Sequence, residues 1–306
     1  MRLGLCCTFL REPIRFRNAT ARTLSGMKPR ERTGRLRALA EQNAEALQLA
    51  IQYCTTHNIG SFRTNSQILP LRTHPRLGYA AALLGEPAVE RFHQCGELAR
   101  RSGIRLTFHP DQFVVLGSID PAVTTASLRE IEHQAEVAEW IGADLIQIHG
   151  GGVYGDKRAA LRRLAANAKR LSKRARARLA LENDDRAYTP SDLLPVCREL
   201  GIPLVYDVHH HRCNPDGLSV EAATRLALST WNREPLFHVS SPRHGWRGGN
   251  PRPHADTIKL KDFPRFWERL DCTVEVEAKS KELAVEALRL ALRRCARRAS
   301  RNDPRS

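Results

Sequence analysis

Leu204-Val205-Tyr206-Asp207-Val208-His209-His210-His211-Arg212-Cys213-Asn214 begins as a buried strand and ends in ligand chemistry. Its first half is apolar and β-branched and follows Gly201 and Pro203, the boundary residues of a core strand. Its second half offers one carboxylate and three imidazoles. Such a change marks the rim of a core, where side chains leave packing and meet a site. One carboxylate with neutral imidazoles suits a divalent transition ion such as Mn, Fe or Zn.

Seven more strand-like runs, at residues 3–9, 61–64, 105–110, 145–151, 179–183, 236–242 and 273–279, surround this one. Helical patterns at about 31–57, 87–102, 124–141, 157–175, 191–200, 219–231, 262–269 and 281–298 alternate with them. Eight β/α units in 306 residues predict one (β/α)8 TIM barrel over residues 1–298 with its metal site at the C-terminal face. The basic stretch 299–306 is expected to be a disordered tail. Thr189 before Pro190 offers a hydroxyl N-cap, and Gly103, Gly142 and Gly201 end helices as left-handed caps.

The strands end alike. The third ends at His109, the fourth at His149, the fifth at Glu182, the sixth at Asp207, the seventh at His238 and the eighth at Glu277. One such residue is an ordinary polar group at a core edge, but six in succession point to a polynuclear metal site. Three carboxylates and several imidazoles exceed the needs of one ion and suit two or three, with Glu182 central enough to bridge. Clustered divalent ions activate water and stabilise the entering and leaving oxygens of a phosphoryl centre. They also polarise the carbonyl and hydroxyl of a sugar, so the ligands alone leave phosphodiester and sugar chemistry open.

Charge and loops narrow the choice. Lys and Arg number 49 against 33 Asp and Glu, a net +16 that favours a polyanionic partner. A compositional bias towards Arg and Ala, which the run 169–178 resembles, is the alternative source of this excess. Two long connections, 10–30 and 243–257, carry Arg and Lys, and both are expected on the C-terminal face beside the site. The eight cysteines form no Cys-x-x-Cys pair, which indicates reduced thiols and a cytoplasmic protein. No apolar run is long enough to span a bilayer.

Phe108-His109-Pro110-Asp111-Gln112-Phe113, Leu181-Glu182-Asn183-Asp184, Asp207-Val208-His209-His210-His211, His238-Val239-Ser240-Ser241-Pro242, His254-Ala255-Asp256 and Glu277-Ala278-Lys279 together resemble the UV damage endonucleases, in family order and across nearly the whole chain. That family belongs to the barrel group of endonuclease IV and the xylose-isomerase-like enzymes. The resemblance implies a metal-dependent DNA repair endonuclease that nicks double-stranded DNA immediately 5′ to a UV photoproduct, leaving a 3′-hydroxyl and a 5′-phosphate. It implies two or three divalent ions, Mn2+ foremost with Zn2+, Mg2+ or Co2+ as alternatives; the protein is expected to act as a monomer without membrane contact. The implied ligands are His109, His149, Glu182, Asp207, His210, His238, His254 and Glu277, with Glu182, His109 and His74 as catalytic residues. Alternation in a continuing strand would instead group Asp207 with His209 and His211, so His210 requires the strand to have ended. An abasic-site endonuclease, a sugar isomerase or epimerase and a non-catalytic DNA-binding protein are the alternatives.

Gln112, Phe113, Leu5 and Arg63 are the expected contacts to DNA or lesion by the same match. The chain departs from the family pattern where Leu5, Phe9 and Phe113 replace the usual Tyr, Asn and Tyr. Leu236 stands where a modifiable Lys is common. Glu275 points to the same side as Glu277 by alternation, and it is expected to lie beside Leu236 and to supply the missing negative charge.

Overall fold

A computed structural model describes residues 1–301. Eight parallel strands close into a barrel in sequence order: β1 (Arg2–Cys6), β2 (Ser61–Thr64), β3 (Arg105–Phe108), β4 (Leu145–His149), β5 (Leu179–Glu182), β6 (Leu204–Asp207), β7 (Leu236–Val239) and β8 (Thr273–Val276). The helices are α1 (Ala21–Ser25), α2 (Pro29–Thr56), α3 (Glu86–Arg101), α4 (Pro121–Ile141), α5 (Lys157–Ala168), α6 (Lys173–Arg176), α7 (Pro190–Leu200), α8 (Val208–Cys213), α9 (Val220–Leu228) and α10 (Lys281–Arg301). Because every strand pair is parallel, all strand C-termini and the loops that follow them share one face. This is the expected (β/α)8 barrel.

The boundaries differ from the apolar runs in instructive places. Cys7 adopts φ 59° and ends β1 early. After β7 the chain makes 3-10 turns at Leu260–Asp262 and Arg265–Arg269 in place of a full helix. The long pattern at 157–175 breaks into α5 and α6, because Ser172 caps a new helix through the Ala175 amide. Thr189 forms a full capping box with Asp192, and Gly142 and Gly201 are left-handed caps. The helix α10 continues to Arg301, into the stretch expected to be a tail, and residues 302–306 lie outside the described residues. No described helix is long and apolar enough to cross a membrane.

The barrel interior is layered. Its floor is apolar, with Leu145, Ala180, Val205 and Leu236 packed together. Above it lies a polar layer: Thr107 donates to Glu275 at 2.6 Å and Gln147 meets His238 at 2.9 Å. The strand ends form the rim. Gly4 keeps this interior open, since a Cβ there would stand 3.1 Å from both the Glu275 and Ser61 side chains. A Cβ on Gly150 would lie 2.5 Å from the Tyr188 ring, so glycine is required directly after His149.

Candidate metal centre

Glu182 ends β5 fully buried, and imidazoles surround it. Its Oε2 is 2.9 Å from His109 Nε2, and its Oε1 is 3.1 Å from His238 Nδ1 and 3.3 Å from His210 Nδ1. Ligand atoms of His109, His149 and Glu182 lie within 4.8 Å of one another, and so do those of Glu182, Asp207 and His238. Glu182 belongs to both groups, the placement a bridging carboxylate needs. On the far side, Glu277 Oε1 is 3.3 Å from His238 Nδ1 and Glu277 Oε2 is 3.7 Å from His254 Nδ1.

The His triplet is resolved by the end of β6. The strand stops at Asp207 and α8 starts at Val208, so residues 209–211 follow helical spacing. Asp207 caps that helix by accepting from the His210 amide at 2.8 Å, and His210 Nδ1 lies 3.5 Å from Asp207 Oδ2. His209 turns towards Trp246, with ring centroids 5.3 Å apart, and His211 bonds Tyr206 and Asp216. Only His210 of the three faces Glu182.

Donor chemistry fits divalent cations. Asp207 Oδ2 and His149 Nδ1 are buried without a hydrogen-bond partner, which is costly unless a cation answers them, and the only ion-pair partner of Glu182 Oε2 among the described residues is the His109 imidazole. Burial opposes charge on Glu182, but His238, His149 and His109 outweigh it and hold the carboxyl well below its usual range. Burial also opposes charge on His210 and His238. The carboxylates win at both, raising His210 to about 10, chiefly through Asp207, and His238 well above its ordinary value, chiefly through Glu182. His149, by contrast, is lowered by burial. This set of carboxylate and imidazole groups is one that divalent ions take up by displacing protons.

The polar layer orients the rim. His238 Nε2 faces Glu275 Oε2 at 3.2 Å and Gln147 Nε2 at 2.9 Å, while Gln147 Oε1 has no partner. Turning the Gln147 amide lets its oxygen accept from His238 Nε2–H and leaves the Nδ1 lone pair facing Glu182. Asn183 binds Asp207 twice, donating to its carbonyl at 2.9 Å and accepting from its amide at 3.0 Å. Asp262, buried, accepts from Ser241 at 2.6 Å and Trp246 at 2.8 Å and so braces the hairpin carrying His254. Sequence reading missed Gln147, Asn183 and Asp262. Period-two alternation gives away Gln147, two residues before His149, whereas nothing local marks Asp262.

Four expectations fail on geometry. Leu5 is fully buried in the apolar layer, since alternation turns Gly4 and Cys6 inward and Leu5 outward against the helices, away from any DNA. Arg63 is also buried: its Nε is 2.8 Å from Glu275 Oε2 and its Nη2 binds Glu277, so its charge is taken up by carboxylates inside the barrel. His74 does not join the cluster. Its Nδ1 accepts from the Arg76 and Leu77 amides at 3.2 Å, and it lines a cleft with Arg129 and His133 of α4 in the outer layer. Glu275 pairs in register with His238, while Leu236 pairs with Thr273 on the floor, so Glu275 is not beside Leu236. Its charge is answered by Arg63.

The rim loops lie where expected. Gln112 and Phe113 follow His109 on the C-terminal face, both exposed, Phe113 at 77 %. A cleft of about 370 Å³ beside Glu277 and His254 is also lined by Cys6, Cys7, Lys279 and Lys281.

A closed parallel barrel with histidines and carboxylates gathered at its strand ends is a (β/α)8 barrel of the shape also seen in endonuclease IV. Endonuclease IV from Thermus thermophilus has this fold, with TM-score 0.63 at 15 % identity over 97 % of this chain and 100 % of its own. The particular family follows from sequence. Residues 1–299 match the UV-endonuclease UvdE family, to which this chain belongs, and the chain is an endonuclease. The UV DNA damage endonuclease of Deinococcus radiodurans is 36 % identical over 298 residues, covering 94 % of each chain. The crystal structure of SacUVDE superposes with TM-score 0.87 at 26 % identity, covering 97 % of this chain and 99 % of that one.

Proposed function

We propose that this endonuclease nicks double-stranded DNA immediately 5′ to UV photoproducts, leaving a 3′-hydroxyl and a 5′-phosphate, with two or three divalent ions, manganese foremost. It acts as a monomer in the cytoplasm, where its eight free thiols stay reduced. The observation that carries this reading is Glu182, a fully buried carboxylate shared by two ligand groups and partnered by imidazoles. His109, His149 and Glu182 would hold one ion, and Glu182, Asp207 and His238 a second. His210, His254 and Glu277 would complete the outer side. When bound, such ions supply Lewis-acid polarisation of a phosphodiester. Gln147 and Glu275 fix the His238 ring, and Asn183 fixes Asp207, so that the lone pairs are preorganised.

Gln112 and Phe113 are assigned to feeling the damage. A photoproduct stacks poorly, so its bases leave the helix at lower cost than intact ones. The exposed Phe113 ring supplies a stacking surface for the gap and Gln112 an amide for the orphaned bases. Phe113→Ala is expected to weaken binding to damaged duplex by roughly 1–3 kcal/mol while leaving intact-duplex binding, metal content and Tm unchanged. Equal losses on both duplexes would remove the wedge.

Incubation with Mn2+ and irradiated, abasic or intact duplexes, or with ketose sugars, tests the whole reading. Nicking confined to irradiated DNA supports it. Nicking confined to abasic DNA, or turnover of the sugar, would replace it.

A further inference from the structure

Residues 157–178 hold ten Lys and Arg and no Asp or Glu, so this short segment contributes +10 to a chain of net +16. The metal centre uses none of it. The segment forms α5, a turn and α6, and its inner face is apolar: Ala160, Leu164, Ala165, Ala168 and Ala175 are buried against the barrel. Arg158, Arg162, Arg170, Lys173 and Arg176 are all exposed.

Neighbouring helices answer only part of this charge. Lys157 pairs with Asp192 at 2.8 Å, Lys169 with Glu199 at 2.6 Å and Arg174 with Glu139 at 3.2 Å. Among the described residues, no carboxylate lies within 4.0 Å of the five exposed cations, and their local bonds go to neutral groups: Arg170 to Asn167 and Arg176 to the Lys169 carbonyl. The Arg176 bond folds α6 back on the end of α5, so the charges form one ridge. Arg158 and Arg162 are one helical turn apart on the outer face.

The ridge starts at the active face. β4 ends at His149, the loop 150–156 crosses the rim with Tyr154 at 41 % exposure, and α5 then descends the barrel wall. Twelve residues of α5 span about 18 Å, the length of roughly five base pairs of duplex.

Resting on the DNA reading above, we propose that α5 and α6 form a second phosphate-binding track, which holds duplex flanking the lesion after it turns over the rim. A straight duplex lying across the strand ends would leave the wall untouched. One that bends at a poorly stacked lesion can follow it. Contacts of this kind position the duplex and read no sequence.

The test replaces Arg158, Arg162, Arg170, Lys173 and Arg176 together by Gln, a residue that keeps helix propensity. Binding is measured by anisotropy on lesion duplexes of about 12 and about 40 base pairs with a non-hydrolysable linkage at the nick site, over a salt series. Wild type is expected to bind the long duplex more tightly than the short one, with a steeper salt dependence. The variant should lose that length advantage, and its log–log salt slope on the long duplex should become shallower by about three to five, near 0.9 per lost contact. Unaltered Tm and unaltered nicking of the short duplex confirm an intact fold and site. Length dependence and slope unchanged from wild type would overturn the proposal. So would a track filled only by a second duplex, seen as two duplexes per protein. If wild type nicks no irradiated DNA, the function reading fails by itself, because the binding comparison is scored separately.

Discussion

Glu182 and Glu275 are both fully buried in the same barrel, and both touch His238, from opposite nitrogens: Glu182 at Nδ1, 3.1 Å away, and Glu275 at Nε2, 3.2 Å away. What differs is the group that compensates each charge. Burial opposes the charge of Glu275, yet Arg63 in first place and His238 after it bring the carboxyl down to about 2. Thr107 adds a hydroxyl at 2.6 Å. A guanidinium never gives up its proton, so Glu275 is permanently partnered and structural. The partners of Glu182 are imidazoles, which release a proton and keep a lone pair. The same carboxylate chemistry therefore becomes a scaffold on one side of His238 and a cation seat on the other.

The largest effect is expected at Glu182. Glu182→Gln should lower nicking by orders of magnitude and remove at least one ion, because an amide is a poor bridging ligand. In metal-free protein the same change should lower Tm, because Glu182 is held ionised by His238, His149 and His109 and its loss uncovers them; the loss stays modest, since imidazoles can shed the uncovered protons. Metal content, nicking and metal-free melting are measured together, and full activity with full metal content would end the distinction between the two carboxylates.

Glu275→Gln is expected to show the opposite pattern. Uncovering Arg63 should cost roughly 3 kcal/mol in urea unfolding, at the low end for a broken buried pair because Glu277 still faces the guanidinium. Ion affinity should fall only about tenfold, through a less well oriented His238. Loss of ions without loss of stability would show that Glu275 is itself a ligand.

His133 on α4 sharpens the contrast at its weakest end, as a buried titratable group that makes no ion pair with a carboxylate among the described residues. Burial, helped by Arg72, lowers it to about 3, so it stays neutral in the folded protein. The unfolded chain binds a proton near pH 6.5 that the folded chain refuses. Above that pH the residue has no effect on stability. As pH falls towards 3, stability is lost by up to about 1.4 kcal/mol per unit. His133→Leu should flatten acid destabilisation between about pH 6 and pH 4, and an unchanged slope in urea titrations would assign the acid sensitivity elsewhere.

The rim was legible in sequence because each strand announces its own end: an apolar run stops and a His, Asp or Glu follows. Alternation from those ends also reaches Thr107, Gln147 and Glu275. Two kinds of residue escaped. Leu5 and Arg63 sit on strands whose inward and outward faces both look buried, and only the register of Gly4 against Ser61 shows that β1 turns Leu5 outward. His74 and Asp262 are placed by long connections, whose paths depend on distant partners such as α4 and Trp246 and not on neighbours in sequence.

Asp207 is the last residue of β6 and the N-cap of α8, so no loop separates strand from helix at this one rim position. Elsewhere on the face, connections such as 243–259 can lengthen or shorten while the strand ends stay put. Here a single inserted residue would rotate His210 by about 100° around the helix axis and uncap the helix in the same stroke. Drift in loop length, the usual raw material for new specificity on this fold, is therefore closed at β6 and open around it. A library of one-residue insertions along the rim should come back with a gap at 207–208.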